Sequence, residues 1–140
     1  MRFAILAVGC ILAGCTRYEY RLPETGAMLE GTVTYGGETL QMAQINVLGE
    51  KSQAIGEIQN GRYTVENVPL GEVKIGVNTE AVRSNMIGQQ MARAKGVDTG
   101  PALKFIAVPA KYAEPDTSGI STTTKRGKNS FDIILTKGGK

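Results

Sequence analysis

The chain of 140 residues contains no histidine and two cysteines, Cys10 and Cys15. Nucleophilic dyads built on imidazole, and metal centres with imidazole ligands, are therefore closed to it. Carboxylates, amines, hydroxyls and two thiols remain. The carboxylates stand apart from one another. Glu30, Glu66, Glu72 and Asp132 fall singly on outward positions of alternating segments, where solvation is the default role. No Asp/Glu run has calcium-loop spacing. The nearest approach is "EPDTSG" (Glu114–Gly119), which reads either as a loose cation site or, more plainly, as a turn capped by Asp116. Lys125-Arg126-Gly127-Lys128 reads either as a grip for an acidic glycan, a lipid phosphate or nucleic acid, or, more plainly, as a solubilising hairpin tip. Tyr112 and Tyr63 are the aromatics of the body that would suit a sugar platform, and Tyr63 falls on an inward strand position. These residues predict no catalytic group, no cofactor and no metal site.

The thiols carry a different message. Arg2 is followed by an apolar run from Phe3 to Ala13. A spanning helix needs about 20 apolar residues, so this run is too short to cross a bilayer and has the length of a signal-peptide core. It ends in Leu12-Ala13-Gly14-Cys15. Those four residues, placed directly after the apolar core, resemble the bacterial lipobox. The resemblance implies that residues 1–14 are a lipoprotein signal peptide, removed with Cys10, and that Cys15 is diacylated and becomes the mature N-terminus. The anchor is then palmitate-type acyl chains, each buried CH₂ contributing about 0.8 kcal/mol. The alternative is ordinary signal-peptidase cleavage with Cys15 left as a free thiol. With Cys15 lipidated, no disulfide and no reactive thiol remain. Thr16, rather than Asp, follows the lipid site, which by the familiar sorting rule favours the outer membrane. The expected location is the bacterial cell envelope, on a periplasmic or surface face. Residues 15–27 are polar, with Pro and Gly, and read as a tether.

Formal net charge is +3, which gives no whole-chain bias toward nucleic acid. The signs segregate along the chain. From Cys15 to Glu80 there are 5 Lys/Arg against 9 Asp/Glu, and from Ala81 to Lys140 there are 10 against 4. A basic patch on one face would produce this, as would a solvated surface with no special role, the plainer reading.

The elements that must position these side chains are mostly strands. Met28–Tyr35 places Leu29, Val33 and Tyr35 on one face, with Gly31 among them where another backbone crosses closely. Ala43–Gly49 turns Ala43, Ile45 and Val47 inward; Gln53–Ile58 is a weaker strand. Asn60-Gly61 predicts a type I′ hairpin turn into a strand with Tyr63 and Val65 inward. Pro69-Leu70-Gly71 turns the chain into a strand carrying Val73, Ile75 and Val77. Gly119–Gly127 is Thr-rich and reads as a strand ending in the basic turn; Phe131, Ile133 and Leu135 mark a last strand. Thr79–Gly96 breaks the rhythm. Thr79 stands as N-cap, Glu80 in the first turn, Arg93 and Lys95 in the last, and Gly96 at the C-cap, which predicts a short inserted helix with Ile87, Met91 and Ala94 at helical spacing. Met86 and Met91 are read as core filler. About seven short strands with frequent turns predict an all-β, antiparallel sandwich over residues 28–140.

The pattern of Gly31, Val33, Tyr35, Gly37, Leu40, Ala43 and Ile45, then Gly61, Tyr63, Val65, Asn67, Val68, Pro69, Gly71, Val73, Ile75 and Val77, resembles the transthyretin-like sandwich. This is the prealbumin-type domain also known as carboxypeptidase regulatory-like. The likeness is specific for fold and nearly silent on function. Enzymes of this fold that act on purine breakdown products use His-containing sites, which this chain lacks, and it has no companion zinc carboxypeptidase domain. Some sandwiches of this type crosslink a first-strand Lys to a last-strand Asn; here the first strand has no Lys. Pro109, Lys111, Tyr112, Ser118, Gly119, Gly127, Asn129 and Phe131 are further similar to the ending of bacterial lipoproteins of unknown function. Together these resemblances imply a non-catalytic envelope domain, held to the membrane through Cys15, that acts structurally or contacts an envelope protein or polymer. The alternative is a module binding a small ligand or carbohydrate.

Overall fold

The computed structural model describes residues 24–138. Within them run β1 (Ala27–Tyr35), β2 (Glu38–Thr39), β3 (Met42–Leu48), β4 (Gln53–Gln59), β5 (Arg62–Glu66), β6 (Gly71–Asn78), α1 (Glu80–Ala94), α2 (Pro115–Ser118), β7 (Ser121–Thr124), β8 (Gly127–Ser130) and β9 (Ile133–Leu135). A 3₁₀ turn at Ala110–Tyr112 precedes α2.

The strands pair in the order β2-β1-β5-β4-β3-β6-β7, antiparallel along the whole path, so the mostly antiparallel β architecture is as expected. One part of the expectation is corrected. β8 and β9 lie parallel to β1, with Leu29 opposite Asn129 and Val33 opposite Ile133. Alternation marks which face a residue takes but carries no information on strand direction.

The curl of the sheet follows from its connections. β7 pairs with β6 at one end of the path and β8 pairs with β1 near the other, yet only Lys125 and Arg126 separate them. The two ends must therefore lie side by side. Asn129 holds this seam: its amide donates to the carbonyls of Lys125 (2.7 Å) and Met28 (3.1 Å), and its oxygen accepts from the Lys125 N–H (2.9 Å). The sheet also divides between β4 and β5. β4 pairs with β3 along its whole length, more firmly than its sequence suggests, but with β5 only at Ile58–Tyr63 and Gln59–Arg62.

The turns are those their residues demand. Asn60 and Gly61 have φ of 51° and 74°, the left-handed pair of a type I′ turn, and Gly71 after Pro69-Leu70 has φ of 92°. Inward residues from every long strand meet in one core: Leu29 and Val33, Ile45 and Val47, Ile58, Val65, Val73 and Ile75, Ile133 and Leu135 are all buried. Each such side chain contributes about 1.5–3 kcal/mol relative to exposure.

Gly31 sits where two backbones meet, as its place on an apolar face suggests: a Cβ there would fall 2.0 Å from the Phe131 carbonyl oxygen. Gly76 does the same on β6, where a Cβ would lie 2.7 Å from the Ala113 carbonyl oxygen and 2.9 Å from Pro115. The 3₁₀ turn and α2 thus lie directly on the outer side of β6.

The inserted helix is present over Glu80–Ala94, with two corrections. Thr79 does not cap it through its side chain. Asn78 Oδ1 accepts from the Ala81 N–H (3.1 Å), while the buried Thr79 hydroxyl accepts from the Val108 N–H (3.1 Å) and ties the following loop to the sheet. The buried face carries Val82 and Met86; Ile87 and Met91 are 45% and 62% exposed. Met91 is therefore not core filler. The helix rests on β3 through one narrow stripe, and Val82 and Met86, one turn apart, define it.

The folded body also starts earlier than the tether boundary at Ala27 suggests. Ala27 is buried in β1, the Thr25 N–H donates to Asn67 Oδ1 and the Thr25 hydroxyl donates to the Val68 carbonyl (2.6 Å).

Candidate functional site

Cys15, the lipidation residue expected from the sequence, lies outside the described residues, as do the expected leader and most of the expected tether. What the structure supplies is the start of the folded body at β1. Gly26 offers its carbonyl to the Gly127 N–H at 2.9 Å, so the start of β1 and the basic turn Lys125–Lys128 are neighbours. Lys125, Arg126 and Lys128 are all exposed. Asn129 fixes the turn's backbone while leaving these three side chains in solvent. Glu24 and Glu66 border a shallow groove at the same end, so this end of the body carries both signs.

The charge asymmetry of the sequence turns out to be partly a matter of pairing across the two halves. Lys104 meets Glu38 at 3.0 Å, Lys137 meets Glu38 at 3.6 Å, and Lys74 meets Asp116 at 2.7 Å. The hydrogen bond from Lys104, with its charge, holds the Glu38 carboxyl below the usual range. The hydrogen bond that Lys74 donates to Asp116, with the Asp116 charge, raises the Lys74 pKa. All of these side chains are about half exposed or more, so the pairs are solvent-screened and contribute little to stability.

The Glu114–Gly119 loop is a single helical turn. Pro115 opens it and Gly119 closes it with φ of 73°. Asp116 does not cap it, which corrects the plainer of the two sequence readings; its carboxylate turns to Lys74 instead. The Thr117 hydroxyl donates to the Lys111 carbonyl (2.8 Å), and buried Ser118 donates to the Ile75 carbonyl (2.5 Å). The loop is thereby bolted to β6. Glu50, Glu72, Lys74 and Asp116 border a groove of about 510 Å³ beside it, with Leu70 on the rim. Among the described residues, no three of His, Cys, Asp and Glu gather closely enough to hold a metal ion.

Neither tyrosine considered as a sugar platform presents its ring to solvent. Tyr63 is buried and its hydroxyl donates to the Phe131 carbonyl at 2.5 Å. Burial, and then the Asp132 charge, push its phenol well above the ordinary value of 10.0. Tyr112 is buried against the core, its hydroxyl 3.2 Å from Thr136 Oγ1, an interaction that lowers its pKa. Lys111 covers its ring at 4.7 Å.

The ionisable side chain with the most defined surroundings is Asp132, which the sequence places only as an outward carboxylate. It sits in the break between β8 and β9 and accepts from both the N–H and the hydroxyl of Thr32 (2.9 Å each). These two donors, the N–H first, hold its carboxyl below the usual value. A polar groove of about 330 Å³ opens here, bordered by Glu30, Thr32, Arg62 and Asp132. Through the Thr32 N–H and hydroxyl, the Asp132 carboxylate clasps the break between β8 and β9 to β1.

No helix among the described residues is long and apolar enough to cross a membrane. The chain matches no family model, no curated protein and no solved structure.

Proposed function

We propose that this protein is a lipid-anchored, non-catalytic domain of the bacterial cell envelope, built as a transthyretin-like β-sandwich and acting as a structural or protein-interaction module. The observation that carries this reading is Cys15, placed directly after the short apolar run of residues 3–13 and twelve residues before β1 begins at Ala27. Such a spacing suits acyl chains in a membrane, a brief tether and a body of strands. The sandwich reading draws support from the two turns at Asn60-Gly61 and Pro69-Gly71, from the split between β4 and β5, and from a core that both parts of the sheet share. The interaction role draws support from the surface: shallow polar grooves, solvent-facing ion pairs, and the rings of Tyr63 and Tyr112 turned inward rather than out toward a sugar.

Metabolic labelling with radioactive palmitate tests the anchor. Wild-type chain takes up label and partitions with membranes, and Cys15→Ser takes up none. Label persisting in Cys15→Ser would overturn the reading. Capture of envelope proteins by the lipidated chain in native membranes, compared with a glycan-array screen, tests the role. Glycan binding without protein capture would favour the carbohydrate-binding alternative.

A further inference from the structure

Helix α1 presents a second apolar stripe to solvent, opposite the one that the sheet takes. At about 100° per residue, Glu80, Ser84, Ile87, Gly88, Met91 and Lys95 fall within about 60° of the direction opposite Val82 and Met86. All six are exposed, and a Cβ added at Gly88 would meet nothing within 4 Å. No described part of the chain therefore covers this face. Ile87 and Met91 stand one turn apart on it. Outside the helix and its exit, the exposed large hydrophobics Ile55, Leu70 and Ile134 stand singly on separate elements.

The stripe mixes large and small residues and ends in opposite charges. Gly is the poorest helix former after Pro, yet Gly88 stands in the exposed middle of α1, where nothing inside the described chain requires it. Beside Ile87 it leaves a hole in the helix surface, and Ser84 leaves a smaller one a turn earlier. Glu80 lies in the first turn and Lys95 at the C-cap. Arg83 holds Glu80 at 3.0 Å, but the Glu80 side chain stays 58% exposed and has room for a second cation. Glu80, Ser84 and Lys95 are polar, so the stripe lacks the broad apolar face with which a helix lies in a bilayer.

We propose that α1 packs antiparallel against α1 of a second copy of this chain, about a two-fold axis between Ile87 and Gly88. That register sets Ile87 level with the partner's Gly88, and Met91 level with the partner's Ser84. Each large side chain then meets a small one, on both sides of the axis. At each end Glu80 comes level with the partner's Lys95, while the two Glu80 carboxylates lie about 20 Å apart along the helices. The sheet lies behind each helix, away from the contact. One stripe supplies both halves of the contact, which is the requirement for an isologous dimer. A single pair of four-turn helices buries less than about 1,200 Å² in total, the range of weak, exchanging complexes. This inference does not depend on the lipid-anchor reading.

Disulfide trapping in the full chain expressed in a bacterial host tests it. Under mild oxidation, Ser84→Cys with Met91→Cys should give a band of twice the chain mass on a non-reducing gel, about tenfold stronger than wild type with only Cys10 and Cys15. Residues 84 and 91 of one chain lie about 10 Å apart, so this disulfide forms only between chains. For the same reason Ser84→Cys alone and Met91→Cys alone should stay at the wild-type background, as should Ile134→Cys, which is exposed on β9. Adding Gly88→Leu to the double variant fills the hole that the partner's Ile87 needs. It should lower the cross-linked band about tenfold and yet raise the melting temperature, because Leu is the better helix former. A double variant that stays at background would overturn the proposal, as would Ser84→Cys or Ile134→Cys cross-linking equally well, or a band that Gly88→Leu leaves unchanged. Met91→Cys shielded from a water-soluble maleimide, with no cross-link in the double variant, would place lipid or another protein on this face and overturn it too.

Discussion

Gly31 lies directly beneath the carbonyl oxygen of Phe131, with no room between them for a methyl group. The same oxygen accepts the Tyr63 hydroxyl. The turn from β8 into β9 is therefore seated on β1 and β5 at a single atom. Gly31→Ala must push Phe131 away, because backbone rather than a flexible side chain blocks the Cβ. Overpacking of this kind costs about 1–3 kcal/mol, and here it also breaks the Tyr63 bond. Thermal unfolding should show Gly31→Ala melting several degrees lower, while Gly37→Ala, with open space around it, is penalised only for its positive φ.

Tyr63→Phe removes the donor to Phe131 and should cost about 1–2 kcal/mol in urea unfolding. Its pH dependence is distinctive. The Tyr63 phenol is raised above 10.0 in the folded chain, chiefly by burial. Above pH 10 the unfolded chain gives up this proton and the folded chain keeps it, so stability falls as pH rises. The contribution is fully present below pH 10. Wild type should lose stability into the alkaline range more steeply than Tyr63→Phe.

Asp132 acts in the opposite direction. Its carboxyl is held below 3.8 by the Thr32 N–H and hydroxyl. Its contribution is present above that value and is lost as pH falls through the lower folded one. Asp132→Asn should flatten part of the acid limb of the stability profile. An unchanged acid limb would remove the Asp132–Thr32 clasp from the account.

Asn129→Ala should cost about 1–3 kcal/mol, because the carbonyls of Lys125 and Met28 lose their donor at the seam. Asn129→Asp should be worse, since it turns a carboxylate oxygen toward those carbonyls. Hydrogen exchange should localise the loss to β7 and β8.

On α1, Met86→Ala should cost about 2–5 kcal/mol and Met91→Ala less than about 0.5 kcal/mol, read from urea midpoints. Equal costs would place the helix on the face that its apolar spacing first suggests.

That last contrast shows where the sequence runs out. Ile87, Met91 and Ala94 have helical spacing, but so do Val82 and Met86, and a pattern with two apolar stripes cannot say which one the sheet takes. The strands were legible because period-two alternation and the turn residues Asn60-Gly61 and Pro69-Gly71 agree. Gly31 was legible as a crossing point because a glycine on a buried face needs a reason; Gly76 was not, because it falls on the outward face with Glu72 and Lys74 and only the seat of α2 explains it. β8 was not legible. Gly127-Lys128-Asn129-Ser130 has no apolar alternation, and its strand form comes from the backbone of β1 and the Asn129 side chain. The parallel pairing was hidden too, since direction is decided by the two-residue link from β7. As for the site, Asp132 looked like any outward carboxylate, because the Thr32 donors that single it out lie a hundred residues away in sequence.

The parallel placement of β9 against β1 has a mechanical consequence. Tension between the start of the body at Ala27 and its last strand at Leu135 draws the two strands along their length in opposite directions. The Val33–Ile133 to Tyr35–Leu135 ladder is then loaded in shear, all rungs together, instead of being unzipped one at a time. A body pulled from its two termini meets that load with its first and last strands locked side by side.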